Sequence, residues 1–192
     1  MTMPGRYICA GIPRCGTTLM FRALAGLPPG SKTPVDYNGP IEKTHTFRPR
    51  RLEGVEKAIF MFGDPVAAVV STRLRRYSAS HFRHCGAKAR DPDTTDIFRE
   101  DALNYGRMFK AWTRAQGFDT ICVRYETLYQ NLPLVRDFFG FELFVPPFKP
   151  RKTCLEDAVS AEDLAAIQAT YDGLITAVER SPDVMVFRAR PS

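Results

Sequence analysis

Tyr7-Ile8-Cys9-Ala10, then Gly11-Ile12-Pro13-Arg14-Cys15-Gly16-Thr17-Thr18, then Leu19-Met20-Phe21-Arg22-Ala23-Leu24 is the stretch whose reading decides the fold. A short apolar run, a loop with glycines near both ends and a segment with one apolar helical face read as strand, tight turn and helix. The glycines let backbone N–H groups converge on one anion, and the helix that follows adds the positive end of its dipole. The layout is that of a phosphate cradle. In nucleotide triphosphatases the cradle has Lys directly after its second glycine. Thr17 stands there, and the loop's cation is Arg14, two residues before Gly16. The loop is therefore expected to hold its anion differently from an ATPase.

Outward from this turn, strands and helices alternate. Gly26 to Pro40 carries Pro28, Pro29, Gly30, Pro34, Gly39 and Pro40, so a long loop is expected there. Ile41-Glu42-Lys43-Thr44-His45 reads as a strand edge or strand end, and Arg48-Pro49-Arg50-Arg51 as a basic turn. Ala58-Ile59-Phe60-Met61-Phe62 is the continuous apolar run of a buried parallel strand. Asp64 is a good N-cap and Pro65 fits the first helical position, which predicts a helix over Val66 to Tyr77. Ser78 to Thr95 reads as a second long loop, or a loop with one short helix, and Asp96 to Gln116 as one continuous helix. Thr120 to Tyr125 is the next strand, Leu128 to Phe139 the next helix with Pro133 near its start, and Ser160 caps a last helix to about Glu179. The order predicts an α/β fold with three layers, α/β/α, a central mainly parallel sheet and a phosphate-binding loop after the first strand. Ligands on such sheets sit at the carboxyl ends of the strands.

With 192 residues, 44% of them hydrophobic and no composition break, a single domain over 1–192 is expected. Twenty-seven basic against 21 acidic residues give a net charge of +6, which suits a polyanionic ligand and is also compatible with nucleic acid. The ligand is the better match, because the basic residues scatter over loop ends with no recognition helix, zinc finger or aromatic RNA-binding signature. Cys9, Cys15, Cys85, Cys122 and Cys154 are odd in number and mostly lie in apolar segments, which speaks against a disulfide framework. With no signal peptide before the first strand and no apolar run near membrane-spanning length, a soluble cytoplasmic protein is expected.

Three segments resemble the sulfotransferase family that uses 3′-phosphoadenosine-5′-phosphosulfate (PAPS). Pro13-Arg14-Cys15-Gly16-Thr17-Thr18 is similar to its 5′-phosphosulfate loop, in which Lys or Arg follows the proline and two Thr follow the glycine. Lys43-Thr44-His45 is similar to the Lys-Thr-His of the family's reaction centre. Gly63-Asp64-Pro65 through Ser71 resembles the 3′-phosphate segment, where an Arg, an Asn or Asp and a Pro precede a Ser. Val123-Arg124-Tyr125-Glu126 resembles the Arg-Tyr-Glu-Asp segment, and Arg151-Lys152 a late basic pair that closes on the 3′-phosphate. The chain departs from the pattern at Gly63, which stands where the family has Arg, and after Lys152, where Thr153-Cys154-Leu155 replaces a glycine-rich tail. Arg75, one turn beyond Ser71 on the same helix face, is placed to supply the missing charge.

The resemblance implies a P-loop sulfotransferase that moves a sulfuryl group from PAPS to a hydroxyl or amine of a small-molecule or carbohydrate acceptor. It implies no metal, no nucleic acid and no membrane partner. Sulfuryl transfer asks the protein to cradle the leaving phosphate, to relieve charge on the bridging oxygen and to take a proton from the acceptor. The backbone of Cys15, Gly16, Thr17 and Thr18 with both threonine hydroxyls suits the first task, Arg14 and Lys43 the second, and His45 as general base the third. Ser71, Arg75, Tyr125, Arg151 and Lys152 complete the expected cofactor contacts. Each has a plainer alternative: His45 a hydrogen-bonded structural histidine, Ser71 a hydroxyl bonded back to its own helix, Tyr125 a core residue, Asp64 a helix cap. His81, His84 and Cys85 share a helical turn, but no fourth zinc ligand stands at ordinary spacing, so a solvated surface is expected. Two further functions stay open: a P-loop kinase using Mg-ATP, with Ile59 to Asp64 as its magnesium strand, and a catalytically silent nucleotide-binding protein.

Overall fold

The computed structural model describes residues 5–28, 37–75, 79–87, 90–147 and 158–189. It is an α/β fold around a five-stranded, mainly parallel sheet of order β2-β1-β3-β4-β5. The strands are β1 Arg6–Gly11, β2 Ile41–Thr44, β3 Val55–Phe62, β4 Asp119–Arg124 and β5 Val184–Phe187. The helices are α1 Thr17–Leu24, α2 Pro65–Leu74, α3 Ala79–His84, α4 Tyr105–Trp112, α5 Leu132–Phe139 and α6 Ala161–Glu179.

The three inner strands are the continuous apolar runs of the sequence, and they are apolar because both of their faces are covered. Ile8, Ala10, Ala58, Phe60, Phe62 and Cys122 face one side and share a core with α2, α4 and α6. Tyr7, Cys9, Ile59, Met61, Ile121 and Val123 face the other and share a core with α1 and α5. On the first face Trp112 stacks on Phe60 at 5.6 Å between ring centroids and Phe109 meets Phe62 edge-on at 5.4 Å. Rings in such pairs add about 0.5–1.5 kcal/mol beyond their buried area. β2 lies at one edge with exposed Glu42 and Lys43, charges that discourage further strand pairing.

The register brings the carboxyl ends of β1, β2, β3 and β4 level: Ala10 lies beside Thr44, Gly11 beside Met61 and Met61 beside Val123. From β1 the chain passes through α1 to β2 on one side; from β3 it passes through α2 toward β4 on the other. β1 and β3 therefore flank a topological switch point, and a crevice opens beyond their carboxyl ends.

Three boundaries differ from the sequence reading. The helix expected over Asp96 to Gln116 is only Tyr105–Trp112, because Asn104 takes a left-handed φ of 57° and the Asp101 carboxylate accepts from Tyr105 N at 2.7 Å and Gly106 N at 2.9 Å. These side-chain bonds stand in for the helical ones and start a new helix. The helix expected from Leu128 begins at Leu132, where Pro133 falls within the first turn, the place that tolerates a missing N–H. Val184–Phe187, which carries no clear strand signal in the sequence, pairs antiparallel to β4 at the sheet edge. Arg124 fixes it there, donating to the Asp183 carboxylate at 2.7 Å.

Candidate functional site

β1 ends where Ile12 N donates to Met61 O at 2.9 Å, and the chain then turns sharply, with Cys15 N donating back to Ile12 O at 3.1 Å. Arg14 and Gly16 both lie in the left-handed region, at φ 73° and 78°. Glycine adopts it freely, whereas a residue such as Arg14 does so at a cost of about 1–2 kcal/mol. Close approach demands both glycines of the turn. A Cβ on Gly16 would stand 2.4 Å from Cδ2 of Tyr125, and one on Gly11 would stand 2.4 Å from Thr17 Oγ1 and 2.7 Å from Met61 O. Gly16 then caps α1 without a side-chain acceptor, and no acidic residue stands in the first turn of α1. The first-turn N–H groups have no intrahelical partner, so the positive end of α1 faces the mouth of the crevice.

Side chains from distant parts of the chain meet at this turn. Arg14 Nε donates to Ser71 Oγ at 3.1 Å, tying the loop after β1 to α2. Lys43 Nζ donates to Thr18 Oγ1 at 3.4 Å from the end of β2. His45 Nδ1 lies 2.6 Å from Gly11 O. A carbonyl only accepts, so Nδ1 carries the proton and Nε2 keeps a lone pair. The segment after β2 is held by a bond from Trp112 Nε1 to Thr46 O at 2.8 Å. Burial, partly opposed by the Gly11 carbonyl and reinforced by the charges of Lys43, His84 and His81, lowers His45 from 6.5 to about 4. His45 is a neutral imidazole at pH 7. The Thr17 hydroxyl, on the first residue of α1, is buried and has no hydrogen-bond partner among the described residues.

Of the residues singled out in the sequence, Arg14, Gly16, Thr17, Thr18, Lys43, His45, Ser71 and Tyr125 come together around the turn. Cys15 is buried within the core, and its N–H is spent on the turn, so it contributes scaffold rather than a donor. The ring of Tyr125 packs against the Gly16 backbone. Arg75 caps the carboxyl end of α2 and is exposed; the cation set against Ser71 is Arg14. Arg151 and Lys152 lie outside the described residues, as does Cys154.

Two features went unseen in the sequence. Glu126 accepts from Asp64 N at 3.2 Å, and its carboxylate oxygens stand 2.7 and 2.8 Å from where a Cβ on Gly63 would be. Gly63 is thus the residue that admits Glu126, a carboxylate at the exit of β3. α3 also borders the site: burial, His84, Arg14 and Lys43 lower the pKa of His81, so this partly buried histidine shares the field of Arg14 and Lys43. Among the described residues no group of three or more His, Cys, Asp or Glu side chains is placed to hold a metal ion. Nor is any described helix long and apolar enough to cross a membrane. Burial pushes the Cys85 thiol up to about 12 and raises Cys9 and Cys122 as well, which keeps these thiols protonated and unreactive. No protein-family model matches this chain, and no curated protein matches it.

Proposed function

We propose that the protein is a sulfotransferase that moves a sulfuryl group from PAPS to an acceptor hydroxyl or amine. The observation that carries this reading is the convergence of Arg14, Lys43, His45 and Ser71, from four separate segments, on one glycine-bounded turn at the switch point of the sheet.

The donor set fits the 5′-phosphosulfate. The buried Thr17 hydroxyl lacks a partner among the described residues, and an anion at the amino end of α1 would supply one. Gly16, Thr17 and Thr18 would hold the phosphate through backbone N–H groups and hydroxyls, with Arg14 and Lys43 as counter-charges. Toward the 3′-phosphate, Ser71 and Arg14 are the nearest matched pair, with Arg75 beyond them on α2. PAPS, when bound, supplies the activated sulfuryl group, and its transfer forms a bond from sulfur to the acceptor oxygen or nitrogen while the bond to the phosphate oxygen breaks. Lys43 stabilises negative charge on that leaving oxygen. His45 Nε2 takes the acceptor proton, with Gly11 O fixing the ring through Nδ1–H. The crevice supplies orientation, and the loop charges supply stabilisation that needs no rearrangement during reaction.

A kinase reading is less well supported, because Asp64 Oδ1 is engaged as a helix cap by Val66 N at 2.8 Å and Ala67 N at 3.3 Å rather than presented to a metal. The silent nucleotide-binding reading draws on Glu126, whose carboxylate at Gly63 opposes a 3′-phosphate. Transfer of labelled sulfate from PAPS to an acceptor panel, with chelator present, decides among them. The proposal expects transfer by the wild type and a fall of about 10²–10⁴-fold in kcat for His45→Ala. It also expects the acid limb of kcat/KM near 4 rather than near 6.5, because the free enzyme's base titrates there. Full activity of His45→Ala at saturating PAPS would remove His45 as the base, and cofactor binding without transfer to any acceptor would favour the silent protein.

A further inference from the structure

Immediately beyond the His45 segment, a cleft of about 490 Å³ opens between the Pro49–Arg51 turn and α4. Six cations line it, Arg48, Arg50, Arg51, Arg107, Lys110 and Arg114, and no acidic residue does. All six are exposed, and none forms an ion pair among the described residues. The ion pairs of the described residues lie elsewhere, and the opposing Asp101 carboxylate is attracted by Arg107 without an ion-pair contact. Arg107 donates to Asn104 Oδ1 at 3.2 Å, which orients it without cancelling its charge. Six like charges around one concavity repel each other and raise the local potential, a cost that a bound polyanion offsets.

The spacing is built into two elements. Arg107, Lys110 and Arg114 follow the i, i+3, i+7 stripe of α4 and its end, opposite the buried Met108, Phe109 and Trp112. Arg48, Arg50 and Arg51 flank and occupy the short 3₁₀ turn, which Pro49 pins by burial. Phe47 joins the two walls: the Arg48 guanidinium lies 5.0 Å and that of Arg107 4.2 Å from its ring centroid.

We infer that this cleft binds a sulfated or carboxylated oligosaccharide, and that such a chain is the acceptor of the reaction. The second half of this inference rests on the sulfotransferase reading; the first does not. Five of the six cations are arginines, whose planar forks match sulfate and carboxylate in pairs of hydrogen bonds. Single-stranded nucleic acid would need open aromatic platforms for its bases. The cleft's one aromatic, Phe47, is already covered by Arg48 and Arg107 and packs close to Gly86. An acidic peptide would need side-chain pockets or a strand edge, neither of which lines this cleft. An anionic oligosaccharide presents charges and hydroxyls on one chain. Phe47 is two residues after His45, a span of at most about 7 Å along the backbone. Sugar anions held by the arginines would thus bring a neighbouring hydroxyl toward Nε2 of His45.

The test is calorimetric binding of a heparin-type sulfated hexasaccharide to the wild type and to an Arg50→Glu/Lys110→Glu variant at two salt concentrations, with 3′,5′-bisphosphoadenosine binding measured in parallel. Both changes are at exposed positions, and a melting curve checks that the variant is folded. The expected result is wild-type binding that weakens as salt rises, and a loss of about tenfold or more per reversed charge in the variant. Bisphosphate affinity should stay unchanged. No hexasaccharide binding at low salt, or equal binding by the folded variant, overturns the cleft. Tighter binding of a single-stranded oligonucleotide, lost in the same variant, overturns the choice of ligand class. If the hexasaccharide binds as expected and the bisphosphate does not, the cleft stands and the sulfotransferase reading falls.

Discussion

Gly11 sits at a crowded point of the turn, with Thr17 Oγ1 and Met61 O both inside the space a methyl group would take and its own carbonyl receiving His45. One residue therefore sets the loop, the buried hydroxyl and the histidine ring. Gly11→Ala should destabilise the fold by about 1–3 kcal/mol, the usual cost of overpacking, and should weaken bisphosphate binding because Thr17 is displaced. Urea unfolding and a binding titration check this, and a variant as stable as the wild type would contradict the tight contact. Arg14 was legible from the sequence as the loop's cation, since no other charge lies between Gly11 and Thr18. Its bond to Ser71 was not, because a separation of 57 positions along the chain gives no local signal. Glu126 was hidden for the same reason: the close approach that puts its carboxylate against Gly63 depends on β3 and β4 lying side by side.

At the scale of elements, α2 carries the sequence's clearest start signal. Asp64 accepts from Val66 N and Ala67 N, and Pro65 occupies the first turn. Asp64→Ala should cost about 1 kcal/mol of stability, typical of a lost N-cap, and a thermal or urea midpoint measures it. Negligible change would mean that the cap is replaced by solvent. The inner strands were legible because burial on both faces demands continuous apolar runs, and α6 because Ser160 accepts from Asp163 N in the expected way. The apolar spacing of α4 continues upstream through Ile97 and Leu103, which predicts a longer helix than forms; these residues are buried but reached through turns. There Asp101 and Asn104 override the pattern, and side-chain bonding to backbone is poorly visible to periodicity. β5 is four residues long and half-exposed at an edge, too short to show alternation.

At the scale of the whole molecule, the parallel sheet levels four strand ends, so residues scattered from Arg14 to Tyr125 meet in one crevice. The α/β class followed from the alternation of elements; the basic cleft between the Pro49–Arg51 turn and α4 did not, because it needs two segments brought together in space. Burial of a neutral His45 also couples this crevice to global stability. Its pKa falls on folding from 6.5 to about 4, so the unfolded chain binds the extra proton first. Stability from this group is full above about pH 6.5 and is lost as the pH falls toward 4, with His81 shifted in the same direction. Urea midpoints that fall between pH 7 and 5 in the wild type, and fall less in His45→Ala, are expected; a flat wild-type profile would contradict the burial of neutral His45. Calorimetry of the wild type with 3′,5′-bisphosphoadenosine and, separately, with Mg-ATP distinguishes a PAPS site from a kinase site. The sulfotransferase reading predicts that the bisphosphate binds equally with and without Mg²⁺ and that Arg14→Ala weakens it strongly; tight binding of Mg-ATP with no response to the bisphosphate would contradict it.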